Sequence, residues 1–351
     1  MERFNIYQEI YNQPKVWDQI IKKFKKSEEN IIEFLNKSDT YIFAGCGSGY
    51  NVSVYSRNIC EFLLEKNCFD YQASELIFFG KEIYNKGNKN KPITFLFSRS
   101  GNTTEVVDAI KHINESKLSY LFGITCYEDS YLFKNSNYVF SLMEANEKSI
   151  ATTKSVTSMA LLTALFFSSM SNNVGLSSQI EKLPNLGNNL INKFEDLGKK
   201  IGENSKINKF FVLSNTPSFG LAREAKLKLL EMTQSWADCF NALDFRHGPK
   251  AVVDENSLVV IFLSDSALEY ELSIAKEMKE LGGNLLIFGN SVQKEFYELS
   301  ESIVDLEEKI NEWIRGILFL PIIQLLCYYK AIKQGLNPDN PKNLTYFVEI
   351  K

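Results

Sequence analysis

The sequence predicts an α/β protein built from one unit used twice, each unit a mainly parallel sheet flanked by helices in an α-β-α sandwich. Three observations predict it. Short apolar runs that end on glycine or small polar residues alternate with helical patterns, as strands joined by helical crossovers do. After a polar helical stretch the same order begins again, at an offset of roughly 165–170 residues. The chain, at 351 residues, has room for two domains.

Residues 1–34 read as a helical segment. Asp39–Gly45, DTYIFAG, is an apolar run that stops at glycines, and a helical pattern follows over about 50–66. Ile93–Phe97 is a second run with a helix after it, Thr104–Asn114. Tyr120–Thr125 and Tyr138–Leu142 are the third and fourth runs, and Ala151–Met170 is a long helix apolar enough to be buried. Lys209–Leu213 restarts the series, with the helix LAREAKLKLLEMTQSW close behind. Leu258–Leu263, Leu285–Phe288 and Ser302–Leu306 supply the matching runs, and Trp313–Lys333 matches the helix at Ala151. The expected division is therefore a first domain over 35–175, a helical connector over 176–205 and a second domain over 206–335. Residues 336–351 form a tail whose two prolines forbid a continuous helix. NKGNKNK, residues 85–91, reads as a solvated loop.

Composition narrows the function. The net charge of −4 and the mixing of both signs along the chain give no nucleic-acid surface. Six cysteines without CxxC spacing read as buried thiols in a reducing cytoplasm. The start lacks a basic-then-apolar leader. Arg315 and Pro321 interrupt the most apolar late segment, which reads as a buried helix rather than a membrane span. Two histidines, His112 and His247, exclude a His-rich metal site, and neither a metal nor an organic cofactor is expected. His112, amid polar helical residues, reads as solvated.

SRSGNT, residues 98–103, lies between a strand and a helix. Helix N-termini leave backbone N–H groups without intrahelical partners and carry partial positive charge. Gly101 permits a positive φ or a close approach. Ser98, Ser100 and Thr103 add hydroxyl donors, and Arg99 adds charge. A phosphate monoester needs this combination; an ordinary strand–turn–helix capped by Thr103 also fits it. The matching turn of the second half has Ser264, Asp265, Ser266 and Ala267, where an acid replaces the base and the glycine is lost. That asymmetry implies one anion site per chain, in the first half. A second glycine loop, AGCGSGYNVSV, lacks the full dinucleotide fingerprint and reads as a close-approach loop beside the same ligand.

These motifs resemble the sugar isomerase (SIS) domain family. SRSGNTTE is similar to its phosphate-binding S-x-S-G-x-T, GCGSGYN to its first glycine loop, and SIATTKSVTSM to the segment that closes over the sugar. EAKLKLLE and FRHGPKAVV are similar to the catalytic helix and HGP loop of its second domain. PDNPKNLTYFVEI is similar to the C-terminal tail in the isomerase half of glucosamine-6-phosphate synthase. The likeness runs in order along nearly the whole chain. Within the family it leans toward glucosamine-6-phosphate deaminase-like proteins and the galactosamine-6-phosphate deaminase/tagatose-6-phosphate isomerase group. The cysteine that the synthase's glutaminase domain carries directly after its initiator Met is replaced here by Glu2, and the expectation is that the protein does not draw ammonia from glutamine on its own.

The resemblance implies that Ser98, Arg99, Ser100 and Thr103 hold a phosphate, and that Gly47, Ser48, Gly49 and Thr152 lie against the sugar. It implies Glu231 as general base, Lys228 one turn before it as a helper, and His247 as the ring-opening acid/base. Tyr346, also expected against the sugar, falls where the synthase has a tail lysine; it can donate a proton but is neutral and cannot form a Schiff base. A carboxylate can move a proton between adjacent carbons through an enediol or enolamine, and an imidazole titrates near neutral pH. With an amine on carbon 2 the outcome is deamination of a hexosamine 6-phosphate; with a hydroxyl it is aldose–ketose isomerisation; with an amino-acid adduct it is deglycation. A non-catalytic sugar-phosphate sensor is the reading from another class. The family also implies a homodimer in which the histidine reaches the neighbouring subunit's site, with no nucleic-acid or membrane partner.

Overall fold

The computed structural model describes residues 4–84, 90–216 and 218–348. The chain divides into two compact units, Asn12–Pro184 with Thr345–Lys351 and Met1–Tyr11 with Asn185–Leu344; these are the first and second lobes below. Helix α1 (Asn5–Tyr11) clusters with the second lobe and α2 (Gln13–Leu35) with the first.

The first lobe continues through β1 (Thr40–Gly45), α3 (Ser48–Leu63), β2 (Asn67–Gln72), α4 (Ala73–Phe78), α5 (Gly80–Tyr84), β3 (Ile93–Phe97), α6 (Thr104–Glu115), β4 (Tyr120–Thr125), α7 (Tyr131–Asn135), β5 (Tyr138–Ser141) and α8 (Lys154–Met170). Helix α9 (Val174–Gly202) contains Pro184, where the two units divide. The second lobe holds β6 (Lys209–Ser214), α10 (Phe219–Thr233), β7 (Trp236–Asn241), β8 (Ser257–Phe262), α11 (Leu268–Glu280), β9 (Asn284–Asn290), α12 (Lys294–Leu299), β10 (Ile303–Leu306) and α13 (Glu312–Lys333).

Each lobe has a five-stranded, all-parallel sheet, ordered β2-β1-β3-β4-β5 and β7-β6-β8-β9-β10. The repeat therefore holds at the level of topology. The central strands are apolar on both faces because helices cover both faces of a parallel sheet. On one face of the first sheet Phe43, Phe95 and Phe122 fall in register across β1, β3 and β4 and stack at 4.9 and 5.1 Å. Phe166 and Phe167 of α8 pack edge-on against them. On the other face Ile42, Ala44, Leu96 and Leu121 meet Val106, Ala109, Ile110 and Ile113 of α6, which recur at helical spacing.

Apolar runs mark four strands per half in the sequence; the structure has a fifth in each. Strands β2 (NCFDYQ) and β7 (WADCFN) are half-exposed and mix charged, polar and apolar residues. An edge strand is covered less than a central one, so it carries no continuous apolar run to read. His112 is also corrected. Its Nε2 is buried with no hydrogen-bond partner among the described residues, in the space where a Cβ on Gly80 would stand. The expected loop at 85–91 falls, over 85–89, outside the described residues. Helix α13 runs unbroken through Pro321. It is long and apolar enough to cross a bilayer, yet 83% of its apolar window is buried inside the protein.

Candidate active site

In both sheets the chain leaves the first strand toward one edge and returns to its other side. This places a crevice at the C-terminal ends of β1 and β3 in the first lobe, and of β6 and β8 in the second. Open α/β sheets bind ligands at such switch points. The glycine loop after β1 and the SRSGNT turn after β3 flank the first-lobe crevice.

In the first-lobe turn Gly101 sits at φ +64°, and a Cβ there would overlap Ser130 Oγ. A positive φ inside a turn is how successive amides come to face a common anion. Ser98 Oγ accepts from Gly101 N at 3.0 Å and Ser100 Oγ accepts from Asn102 N at 3.2 Å. A hydroxyl that accepts an amide still has its own proton to donate, so both serines keep a donor for a ligand. Ser100 Oγ and Thr103 Oγ1 are 3.5 Å apart. Ser48 and Thr152, both expected at the sugar, share a hydrogen bond of 2.8 Å. Gly47 sits at φ +52° with open space around its α-carbon. Gly49 differs from the reading of a close approach to ligand: a Cβ there would overlap the Phe97 carbonyl oxygen, so its missing side chain seats α3 against β3.

Arg99, expected at the phosphate, gives two of its side-chain donors to the protein. Its Nη1 donates to Ser149 O at 3.0 Å and its Nη2 to Tyr346 O at 2.9 Å. Its charge lies 3.7 Å from Glu147, whose side chain is fully buried, and its guanidinium stacks 4.0 Å from the Tyr346 ring. Glu147 in turn accepts from Thr153 N at 2.6 Å, Thr153 Oγ1 at 2.6 Å, Lys154 N at 2.7 Å and Ser155 Oγ. A carboxylate here satisfies amides that the start of α8 leaves open and complements its dipole. Tyr346 Oη donates to Glu147 O at 2.8 Å and lies 2.8 Å from Tyr127 Oη. Burial is the main force that pushes the Tyr346 phenol above its ordinary pKa. Val348 O accepts from Thr104 N at 3.2 Å, so the tail also takes a first-turn amide of α6. Nothing in the local sequence marks Glu147 as a cap. It lies six to eight positions before its partners and needs the fold to bring it round.

From this geometry Arg99→Ala is expected to raise KM about tenfold, about 1.4 kcal/mol, because the tail that Arg99 holds is released rather than because a ligand contact is lost. It is also expected to make the tail more open to limited proteolysis. If Arg99 works by holding the tail, truncation after Leu344 adds nothing in the Arg99→Ala background. A full further loss would mean that Arg99 and the tail act separately.

The second-lobe crevice is occupied by the lobe's own acids. Glu271 accepts from Ser264 N, Ser264 Oγ and Asn215 Nδ2, at 2.9, 2.9 and 2.8 Å. Glu312 accepts from Asp265 N at 2.8 Å, and Asp265 pairs with Arg315. Ala267 sits at φ −122°, so the turn lacks the bend found at Gly101. Ser264 N, Ser264 Oγ and Asp265 N are therefore committed to the lobe's own carboxylates, and negative charge already stands at this turn.

Helix α10 carries Glu224, Lys228 and Glu231, spaced so that all three share one face. Lys228 is fully buried, 3.3 Å from the equally buried Glu224, and hydrogen-bonded to Glu231. Burial opposes the charge of Lys228, but the two carboxylates outweigh it and raise its pKa. It remains an ammonium. The Glu231 side chain, 20% exposed, is the one member that solvent reaches. His247 is exposed on a loop bounded by two short 3₁₀ turns, Asp244–Arg246 and Pro249–Val252. Among the described residues no group of three His, Cys, Asp or Glu has the arrangement of a metal site.

The SIS domain model matches residues 34–169 and 205–329. This chain belongs to the SIS domain family. Among curated relatives, the glutamine–fructose-6-phosphate aminotransferase [isomerizing] of Sulfurisphaera tokodaii is 29% identical over 92% of this chain and 52% of its own length. That of Aquifex aeolicus is 28% identical over 98% and 57%. The chain thus spans just over half the length of these relatives. Among solved structures, a glucosamine-6-phosphate deaminase from Thermotoga maritima is 26% identical with a TM-score of 0.80, covering 98% of this chain and 99% of that one. A putative tagatose-6-phosphate ketose/aldose isomerase from Clostridium novyi is 25% identical with a TM-score of 0.87, covering 99% and 94%. The SIS fold and membership expected from the motifs are as found.

Proposed function

We propose that this protein is a hexosamine 6-phosphate deaminase/isomerase that yields a ketose 6-phosphate and ammonia. Ser98, Ser100 and Thr103 hold the phosphate, with Ser48 and Thr152 at the sugar. His247 opens the ring by moving the hemiacetal proton. Glu231 takes the proton from carbon 2, leaving an enolamine, and the proton returns to carbon 1 to give a ketimine. Water adds to the ketimine, and ammonia leaves. Every atom is supplied by the sugar phosphate and one water. Tyr346, hydrogen-bonded to Glu147 O, holds the tail and places its phenol beside the sugar.

The observation that carries this reading is the α10 triad: one solvent-reached carboxylate beside a buried ammonium, itself anchored by a second buried carboxylate. The arrangement suits proton transfer at carbon, because the ammonium steadies the base and the developing oxyanion. A mere sensor has no need of it. The full-length similarity to a glucosamine-6-phosphate deaminase supports deamination, and the equally long similarity to a ketose/aldose isomerase makes isomerisation the second reading. Chromatography of glucosamine-6-phosphate, galactosamine-6-phosphate and the ketose phosphates after incubation, with an ammonia assay, tests it. Ketose phosphate and ammonia in equal amounts are expected. Interconversion without ammonia would leave an isomerase, and binding without turnover would leave a sensor.

The exposed position of His247 also supports a homodimer in which each histidine serves its neighbour's sugar. Glu231→Gln and His247→Ala proteins, each deficient alone, are expected on mixing to recover about a quarter of wild-type activity. Half the dimers would be mixed, with one of two sites intact in each. Recovery of nothing after verified subunit exchange would place both residues in one chain's site.

A further inference from the structure

We propose that Glu277 is a positioning residue for His247, acting from a helix outside the HGP motif. The proposal rests on the role given to His247 above. Arg246 immediately precedes the histidine and Lys250 follows three residues after it. Both reach the same carboxylate on α11: Arg246 Nε donates to Glu277 Oε2 at 2.7 Å, and Lys250 Nζ donates to Glu277 Oε1. Arg246 Nη2 also donates to Ser273 Oγ, at 3.3 Å, one helical turn earlier on α11. A single acid therefore ties the two sides of the turn that presents the imidazole.

The turn needs such a tie. Gly248, directly after the histidine, sits at φ +129° with open space around its α-carbon, a conformation open to glycine and closed to most other residues. Such a backbone is free to move unless something else restrains it. Before the histidine the restraint is apolar: Phe245 is fully buried in the second-lobe core and packs against Phe211 and Phe240 at 5.1 and 5.2 Å. After it, Val253 enters the same core. Between these two anchors the 3₁₀ turns keep their own backbone bonds, His247 N to Asp244 O at 2.9 Å and Ala251 N to Gly248 O at 3.0 Å, and among the described residues Glu277 is the side chain that takes hydrogen bonds from both sides of the histidine. The Lys250 and Arg246 charges outweigh partial burial and hold its carboxyl below the ordinary range, so the tie is made at neutral pH. An imidazole that must meet a sugar oxygen within hydrogen-bond reach loses rate when its loop samples other positions.

The test is Glu277→Gln, alone and with His247→Ala, measured on the turned-over sugar phosphate together with hydrogen exchange of residues 244–253. We expect kcat to fall about 5- to 20-fold with KM within twofold, faster exchange across the loop, and an unchanged melting temperature. In the His247→Ala background the same substitution is expected to change kcat less than twofold, because there is no imidazole left to aim. Glu277→Asp, which keeps the charge on a shorter stem, should restore part of the rate. Unchanged exchange in Glu277→Gln, or an equal loss of kcat with and without His247, would overturn the proposal. If the wild-type protein turned over none of the sugars, the exchange measurement alone would decide the tie, and the failure would belong to the reading of function.

Discussion

If the proposed reaction is the one catalysed, Glu231→Gln is expected to lower kcat about 10³-fold while leaving the fold intact. The amide matches the carboxylate in shape but cannot take a proton from carbon. General base catalysis contributes on the order of 10²- to 10⁴-fold, so a loss of about 4 kcal/mol of transition-state stabilisation is the middle of the range. The fold survives because Lys228 keeps its other partner. Glu224 lies 3.3 Å away with its side chain fully buried, and after the substitution the pair is electrically balanced. KM should move little, since the proposed phosphate turn, residues 98–103, does not include Glu231. Steady-state kinetics with a melting curve checks both halves. Retention of more than a tenth of wild-type kcat would remove Glu231 as the base.

Glu147→Ala is expected to cost the first lobe about 3–5 kcal/mol, the range for removing one partner from a buried charged network. Four donors from Thr153, Lys154 and Ser155 lose their acceptor. The nearly buried guanidinium of Arg99 loses its counter-charge. Both consequences fall on the start of α8 and on the segment carrying Thr152, so substrate affinity should fall with stability. Urea denaturation compares the alanine and glutamine variants. The glutamine keeps one acceptor oxygen and should lose less. A melting midpoint within 2 °C of wild type for the alanine protein would show that this network contributes nothing, because about 1 kcal/mol moves a domain of this size by about 2–4 °C.

Legibility followed physical reach. The central strands could be read because burial on two faces demands unbroken apolar runs, and β1, β3 and β8 are buried at every position. The SRSGNT turn could be read because strand, glycine, hydroxyls and helix are adjacent in the chain. Helix α10 could be read because three and four residues bring side chains to one face. Strands β2 and β7 escaped because an edge position asks little of composition. The use of Arg99 escaped for a different reason. Its partners at Glu147, Ser149 and Tyr346 lie far along the chain, and a charge beside a phosphate motif reads the same whether it faces ligand or protein.

The sequence alone determined the repeated parallel fold, the family and the residue types of the candidate chemistry, because these follow from local periodicity and from motifs whose parts are contiguous. Only the tertiary structure decided which charges are spent. It pairs Arg99 with Glu147, fills the second-lobe crevice with Glu271 and Glu312, and ties Arg246 and Lys250 to Glu277. Ion pairs form wherever folding brings opposite charges within about 4 Å, and that distance has no signature in the order of residues.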